Sequence, residues 1–328
     1  MVHITILGAG AWGTALAAAL APRHDVVLWA RHGAAEIAAA RRNARYLPEV
    51  DLPPTLRCTA DLAASLVHAS DGLLLVATPT AALRDLLRQL RGGALPPLAW
   101  LCKGFERDCA AMAHEIVRDE LGAHPAGPLS GPSFAQEVAR GLPTALVVAG
   151  DDSFCRLVTD ALHGAALRIY STHDLIGVEV AGAVKNIMAI ATGICDALAL
   201  GHNARAALIT RGLAEITRFG VALGASAPTF MGLAGMGDLL LTCTGDLSRN
   251  RQIGLLLGRG VALSDALQRI GHVAEGVGSA AAVRRRAAAL AVQMPITEAV
   301  CAVLDQQASP RQALEQLLAR DPKREVLP

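Results

Sequence analysis

An excess of charge of either sign is missing from this chain: 30 basic residues stand against 29 acidic ones, a formal net charge of +1. Without such an excess no global field recruits nucleic acid or an anionic membrane, so neither is expected as a partner, and any anion must be bound locally. Paired cysteine motifs are missing too. The seven cysteines (58, 102, 109, 155, 195, 243 and 301) contain no C-x-x-C, and their odd number points to reduced thiols in a cytoplasm, with no metal assigned to any of them. The N-terminus lacks a basic n-region and a cleavage-like site, so no signal peptide is expected. A charge-free stretch at 219–237 holds five glycines and Pro228 and would make a poor membrane helix.

What is present is ample apolar material. At 328 residues and 52% hydrophobic content, the chain can form two domains of ordinary size, each with its own core. Its organising stretch comes first. A short apolar run, His3 to Leu7, meets Gly8-Ala9-Gly10-Ala11-Trp12-Gly13, and an alanine-rich helical stretch follows directly. In a strand-turn-helix setting the G-x-G-x-x-G spacing has a mechanical meaning. Gly8 permits the tight turn, Gly10 presents no side chain to a pyrophosphate, and Gly13 lets the helix pack closely on the strand, while the helix N-terminus offers free N–H groups to the anion.

A second strand, Asp25 to Trp29, ends at Ala30-Arg31-His32. At this place an acidic residue would receive the ribose 2′-hydroxyl of NAD, whereas an arginine accommodates the 2′-phosphate of NADP; Arg31 therefore favours NADPH over NADH. Arg41 to Pro53 reads as a polar connection. Leu56 to Ala60 and Asp71 to Ala77 follow as strands, the second a near-continuous apolar run suited to burial on both faces. An amphipathic helix over Thr80 to Leu90 leads to another buried strand, Leu98 to Leu101, which delivers Lys103 at its carboxyl end, where open α/β sheets bind ligands. Residues 126 to 136 read as a glycine- and proline-punctuated turn before a short helix; Pro143 to Ala149 and Leu167 to Tyr170 are further strands. From His173 onward the pattern is helical. The fold class is thus α/β: a Rossmann-type doubly wound sheet over 1–172, followed by an all-α domain over 173–328.

The first helix of the second half, Leu175 to Leu198, is mostly apolar but carries Glu179, Lys185, Asn186 and Asp196. A lysine in such surroundings loses solvation, which destabilises its charged form and moves its pKa toward neutrality, as a proton donor to a forming alkoxide requires. The alternative is a lysine reaching out of a half-exposed helix. His202 and Arg205 read as a polar helix start. Asp238 and Thr242, four apart, share one face if their segment is helical. Ser248-Arg249-Asn250-Arg251 supplies a guanidinium fork beside small polar donors, able to hold a phosphate bidentately or to form a surface charge cluster. The remainder to Leu318 is helical, with a final helix near Arg311 to Ala319.

Together these stretches carry a resemblance. GAGAWGTALA at 8–17, LCKGFE at 101–106, SGPSFAQE at 130–137, AGAVKNIMAIATGICDAL at 181–198, GHNARAALITRGLAEI at 201–216, GMGDLLLTCTGDLSRNRQIG at 235–254 and AEGVGSA at 274–280 closely resemble the soluble NAD(P)-dependent glycerol-3-phosphate dehydrogenases, in family order over nearly the whole chain. The resemblance implies interconversion of dihydroxyacetone phosphate and sn-glycerol 3-phosphate with NADPH or NADH, feeding phospholipid synthesis, in a cytoplasmic protein for which a homodimer is expected.

By matching position, the resemblance makes Lys185 the proton donor or acceptor at the substrate oxygen, with Lys103 and Asp238 as its catalytic companions. Lys103, Gly131, Ser133, Lys185, Asn186, Asp238, Thr242, Ser248, Arg249 and Asn250 would surround the three-carbon phosphate. Gly8, Gly10, Ala11, Trp12, Gly13, Arg31, His32, Lys103, Ala135, Arg249, Val273 and Glu275 would line the dinucleotide site. Ala11 stands where some members have serine, so contact there falls to the backbone. Two other readings keep part of this pattern. A hydroxy-acid dehydrogenase of the same plan would not need Ser248-Arg249-Asn250, and a non-catalytic NADP sensor would not need Lys103, Lys185 and Asp238.

Overall fold

Strand β1 (His3–Leu7) is buried along all but its first residue, and the chain leaves it through the glycine turn into α1 (Ala11–Leu20). In the computed structural model, which describes residues 1–271 and 274–320, this unit anchors the first of two compact bodies: 1–102 with 113–175, and 103–112 with the residues from 176 onward.

The first body alternates strand and helix. After β2 (Asp25–Trp29) and α2 (Ala34–Ala40) come β3 (Arg42–Asn43), β4 (Leu47–Asp51), β5 (Arg57–Thr59), α3 (Leu62–His68), β6 (Leu73–Val76), α4 (Thr80–Leu90) and β7 (Leu98–Trp100). The alternation resumes with α5 (Ala113–Leu121), β8 (Ala126–Ser130), α6 (Ala135–Ala139), β9 (Thr144–Ala149), α7 (Asp152–Leu162) and β10 (Leu167–Thr172). Among the described residues eight strands form one sheet in the order β10-β9-β8-β7-β6-β1-β2-β5, parallel except where β8 meets β9. Every side chain of β6 and β7 is buried, which is why these strands read as unbroken apolar runs. Burying each such leucine contributes about 1.5–3 kcal/mol before entropy is counted. The chain runs from β1 outward through β2 to β5 and then returns to β6 on the other side of β1. The glycine turn therefore lies at the switch point of the sheet, the place where open α/β folds bind ligands.

Two stretches differ from the expectation. Residues 126–130, read as a turn because of Gly127-Pro128, form β8. Proline is tolerated because Pro128 pairs only toward Trp100 of β7, while β9 bonds to β8 at Leu129 and Ser130 alone. The polar connection at 41–53 holds a small antiparallel pair, β3 with β4, turned by Asn43, whose Oδ1 accepts from the backbone N of Tyr46.

The second body is helical: α8 (Leu175–Ala197), α9 (Gly201–Ala222), α10 (Asp238–Thr244), α11 (Arg249–Gly258), α12 (Leu263–Ile270), α13 (Glu275–Ala289), α14 (Pro295–Leu304) and α15 (Pro310–Leu318). Helix α8 is long and apolar enough to cross a membrane by length and composition, but most of it is the centre of this helical core. The excursion 103–112 belongs to the same core, because Phe105 is buried there with its ring 5.9 Å from that of Phe219. A single boundary near 172 does not foresee that excursion.

Candidate active site

In the first body the candidate residues are defined by what their positions leave free. Gly8 adopts φ +120, and a Cβ there would meet the carbonyl carbon of Ala77 at 2.9 Å. A Cβ on Gly13 would overlap the carbonyl oxygen of Gly8, so only glycine lets α1 leave β1 this closely. Gly10 is the opposite case: among the described residues nothing lies within 4 Å of where its Cβ would stand. Gly10 is also the first-turn boundary of α1, and no described side chain caps that end. The bare, open N–H groups of a helix start are a cradle for a pyrophosphate, so the residues present fit a dinucleotide.

The cradle is held from behind. Asn43, almost fully buried, donates from Nδ2 to the carbonyl of Ala9 at 2.9 Å and to Thr14 Oγ1 at 2.8 Å. Trp12 Nε1 donates to the carbonyl of Ser133 at 3.1 Å, and Ser133 Oγ donates to the carbonyl of Gly131 at 3.0 Å. The Gly131-Ser133 loop, Ala135 at the start of α6 and the turn Gly8-Ala11-Trp12-Gly13 are thereby brought together. Arg31 and His32 follow β2 directly, and both are exposed. Asn43 belongs to none of the motifs; its only trace in the sequence is a polar residue in an otherwise featureless connection.

The second body concentrates charge instead. Asp238, 1% exposed, opens α10 and accepts from two ammonium groups: Lys103 Nζ at 2.8 Å through Oδ2, and Lys185 Nζ through Oδ1. Lys185 Nζ also donates to Thr242 Oγ1 at 2.9 Å, and the Thr242 hydroxyl donates in turn to the carbonyl of Asp238 at 2.6 Å. The spacing of Asp238 and Thr242 on one helical turn makes this possible. Burial pushes the Lys185 ammonium down from 10.5 to about 8; the Asp238 carboxylate opposes that shift and the Lys103 charge adds to it. Two ammonium groups thus share one buried carboxylate, and one of them belongs to a lysine whose proton is labile near neutrality.

A ring of polar contacts fixes this cluster. Asn186 Nδ2 donates to the carbonyl of Lys103 at 3.3 Å, and Glu275 accepts from the Lys103 backbone N at 3.3 Å. Asn250 Nδ2 donates to Asn186 Oδ1 at 3.0 Å, and the N–H of Gly276 donates to Asn250 Oδ1 at 3.1 Å. Ser279 Oγ accepts from the Phe105 backbone N at 3.3 Å. Ser248 caps α11, accepting from the backbone N of Arg251 at 3.3 Å. Of the two guanidinium groups read as a fork, Arg249 is exposed and Arg251 is buried against carboxylates. Lys103, Lys185, Asn186, Asp238, Thr242, Asn250 and Glu275 thus form one connected group, with Ser248 and Arg249 on the adjoining turn. Val273 lies outside the described residues. Arg205, at the polar start of α9, is held by Asp196 at 3.2 Å.

A dinucleotide-type sheet with an open helix start, followed by a helical body that buries an ammonium of lowered pKa, defines the class of two-domain nicotinamide-dependent dehydrogenases. Residues 3–155 match the model of the NAD-dependent glycerol-3-phosphate dehydrogenase N-terminus and residues 174–315 that of its C-terminus. A glycerol-3-phosphate dehydrogenase [NAD(P)+] of Paucimonas lemoignei is 60% identical over 99% of both chains. One from Herminiimonas arsenicoxydans is 60% identical over 99% of this chain and 100% of its own. The crystal structure of glycerol-3-phosphate dehydrogenase from Coxiella burnetii superposes with a TM-score of 0.93 at 44% identity, covering 97% of this chain and 98% of that one. The chain belongs to the NAD-dependent glycerol-3-phosphate dehydrogenase family.

Proposed function

We propose that this protein reduces dihydroxyacetone phosphate to sn-glycerol 3-phosphate with NADPH or NADH, supplying glycerol 3-phosphate for phospholipid synthesis. The observation that carries the reading is the cluster in which Asp238 holds Lys103 and Lys185 while Thr242 fixes the Lys185 ammonium. A reduced nicotinamide supplies hydride to the ketone carbon when bound. As that carbon is reduced, the carbonyl oxygen gains negative charge, and Lys185 stabilises it and transfers a proton from Nζ to it. The pKa of about 8 suits this step, because the ammonium is charged at neutral pH yet a good donor. Lys103 polarises the same oxygen, and Asp238 favours the charged form of Lys185 and aims both lysines. Arg249, on the exposed turn after Ser248, grips the phosphate, so that the non-reacting end of the substrate positions the reacting end.

In the first body Gly8, Gly10 and Gly13 hold the pyrophosphate and Arg31 meets the 2′-phosphate, which makes NADPH the preferred form. The protein acts in the cytoplasm as a homodimer, the commonest closed assembly, with no nucleic-acid or membrane partner. Following NADPH and NADH absorbance with dihydroxyacetone phosphate and with a panel of 2- and 3-keto acids tests the reading. Oxidation with dihydroxyacetone phosphate is expected. Oxidation with the keto acids alone would assign a hydroxy-acid dehydrogenase, and dinucleotide binding without turnover a sensor.

A further inference from the structure

We infer that Arg251 is a positioning residue for this reaction: its buried guanidinium fixes the first turn of α11 against α8, and so sets the separation between Lys185 and the Arg249 guanidinium. The inference rests on the reading of Arg249 as the phosphate grip. Arg251 is 8% exposed. Its Nε and Nη2 donate to Asp196 Oδ2 at 3.0 and 2.7 Å, and its Nη1 donates to Asp246 Oδ1 at 2.8 Å. Asp196, near the C-terminal end of α8, is held from the other side by Arg205 Nη1, 3.2 Å from each carboxylate oxygen, and Arg205 Nη2 donates to His202 Nδ1 at 2.9 Å. The Asp246 side chain is 95% exposed, so Asp196 is the partner that counts.

The same two helices touch without side chains between them. A Cβ on Gly193 would overlap the carbonyl oxygen of Arg251 and come within 2.9 Å of the Gly254 Cα, and a Cβ on Gly254 would overlap the carbonyl oxygen of Ile190. Backbone-to-backbone contact fixes the distance between α8 and α11, and polar contacts that cross between them set their register: Asn250 on Asn186 toward one end and Arg251 on Asp196 toward the other. The fork is the charged and two-pronged one of these, bonding Asp196 on one helix from a fixed point on the other. Lys185 and Asn186 lie on α8 about two turns, or ~12 Å, before Gly193 at a rise of ~1.5 Å per residue. Arg249 and Asn250 immediately precede Arg251, and Asn250 reaches Asn186 at 3.0 Å. A buried ion pair adds little to stability that apolar packing could not supply, so its value here lies in register. Lysine cannot replace the fork, since one ammonium lacks its planar geometry.

The test uses Arg251→Lys and Arg251→Met in the full chain, assayed with dihydroxyacetone phosphate and with dihydroxyacetone, which lacks the phosphate. KM for dihydroxyacetone phosphate is expected to rise by about tenfold or more in both variants, with kcat changed far less and kcat/KM for dihydroxyacetone nearly unchanged. Equal losses on both substrates, or an unchanged KM, would overturn the inference. If Arg251→Met does not fold, Asp196→Asn removes the same charge pair at nearly constant volume and is read the same way. Amide hydrogen exchange over 248–258 gives a readout independent of turnover: it should accelerate in Arg251→Lys, and unchanged exchange also overturns the inference. A wild-type protein inactive on dihydroxyacetone phosphate, with accelerated exchange in the variant, would instead discard the functional reading and keep the clamp.

Discussion

The two bodies prepare for their ligands by opposite means. In the first, the decisive positions are those where side chains are missing. Gly8 and Gly13 let backbone meet backbone, and Gly10 leaves the start of α1 bare. In the second, the decisive positions are side chains buried against their own solvation, with Lys185 and Asp238 6% and 1% exposed. A backbone cradle binds through fixed N–H dipoles and is indifferent to pH, whereas a buried ammonium titrates. On the proposed function, pyrophosphate binding falls to backbone and proton transfer to a side chain.

The strongest way to break this contrast is Lys185→Ala, expected to lower turnover by about 10²-fold or more while dinucleotide affinity stays within twofold. Near-normal turnover would remove Lys185 from the reaction. The pH profile sharpens the same point. On the proposed mechanism the lysine donates from its charged form, which is lost above about 8, so kcat/KM for ketone reduction should fall as pH rises through that value.

A glycine pair tests the first body. Gly13→Ala puts a methyl group into the Gly8 carbonyl and should destabilise folding by about 1–3 kcal/mol or more, measured by denaturant titration. Gly10→Ala meets open space, so stability should hold while the dinucleotide dissociation constant rises by about tenfold, ~1.4 kcal/mol. Equal destabilisation of both variants would make the turn purely architectural. Arg31→Ala is expected to lower the NADPH-to-NADH preference by about tenfold, read from the two kcat/KM values, and no change would place the 2′-phosphate contact elsewhere.

The smallest effect concerns a second buried group. Glu215 accepts from the backbone N of Ile296 at 2.7 Å and of Thr297 at 3.3 Å, closing the start of α14 from α9. Burial lifts its carboxyl from 4.5 to about 7, against those hydrogen bonds. Between these values the unfolded chain has lost a proton that the folded one keeps, so stability should decline as pH rises through the window, by at most ~1.4 kcal/mol per pH unit. Lys185 has the opposite sign. Its folded form gives up its proton first, so stability should increase from about pH 8 to 10.5. Glu215→Gln should flatten the acid-side slope alone, checked by denaturation at several pH values, and an unchanged slope would acquit Glu215.

Much of this was legible in the residues because it rests on local rules. Unbroken apolar runs announced β6 and β7, and the glycine spacing announced the turn after β1. The long apolar helix left Lys185 either desolvated or reaching out to solvent, and its burial decides for the first. What stayed hidden depends on partners distant in sequence. Gly127-Pro128 looks like a turn until β7 is seen to accept a proline in register. Asn43 looks like a loop residue until it meets Ala9 and Thr14. Lys103 follows a strand of the sheet, but the burial of Phe105 draws its segment into the helical core. Arg249 and Arg251 look equivalent two residues apart, and only the fold shows that one is exposed and the other held by Asp196.

The stoichiometry at Asp238 also bears on how the cluster responds to its surroundings. Because a single carboxylate joins two ammonium groups in a place that water screens poorly, removing it would set two like charges against each other. The arrangement at Asp238 should therefore outlast salt concentrations that erase attraction at exposed charges.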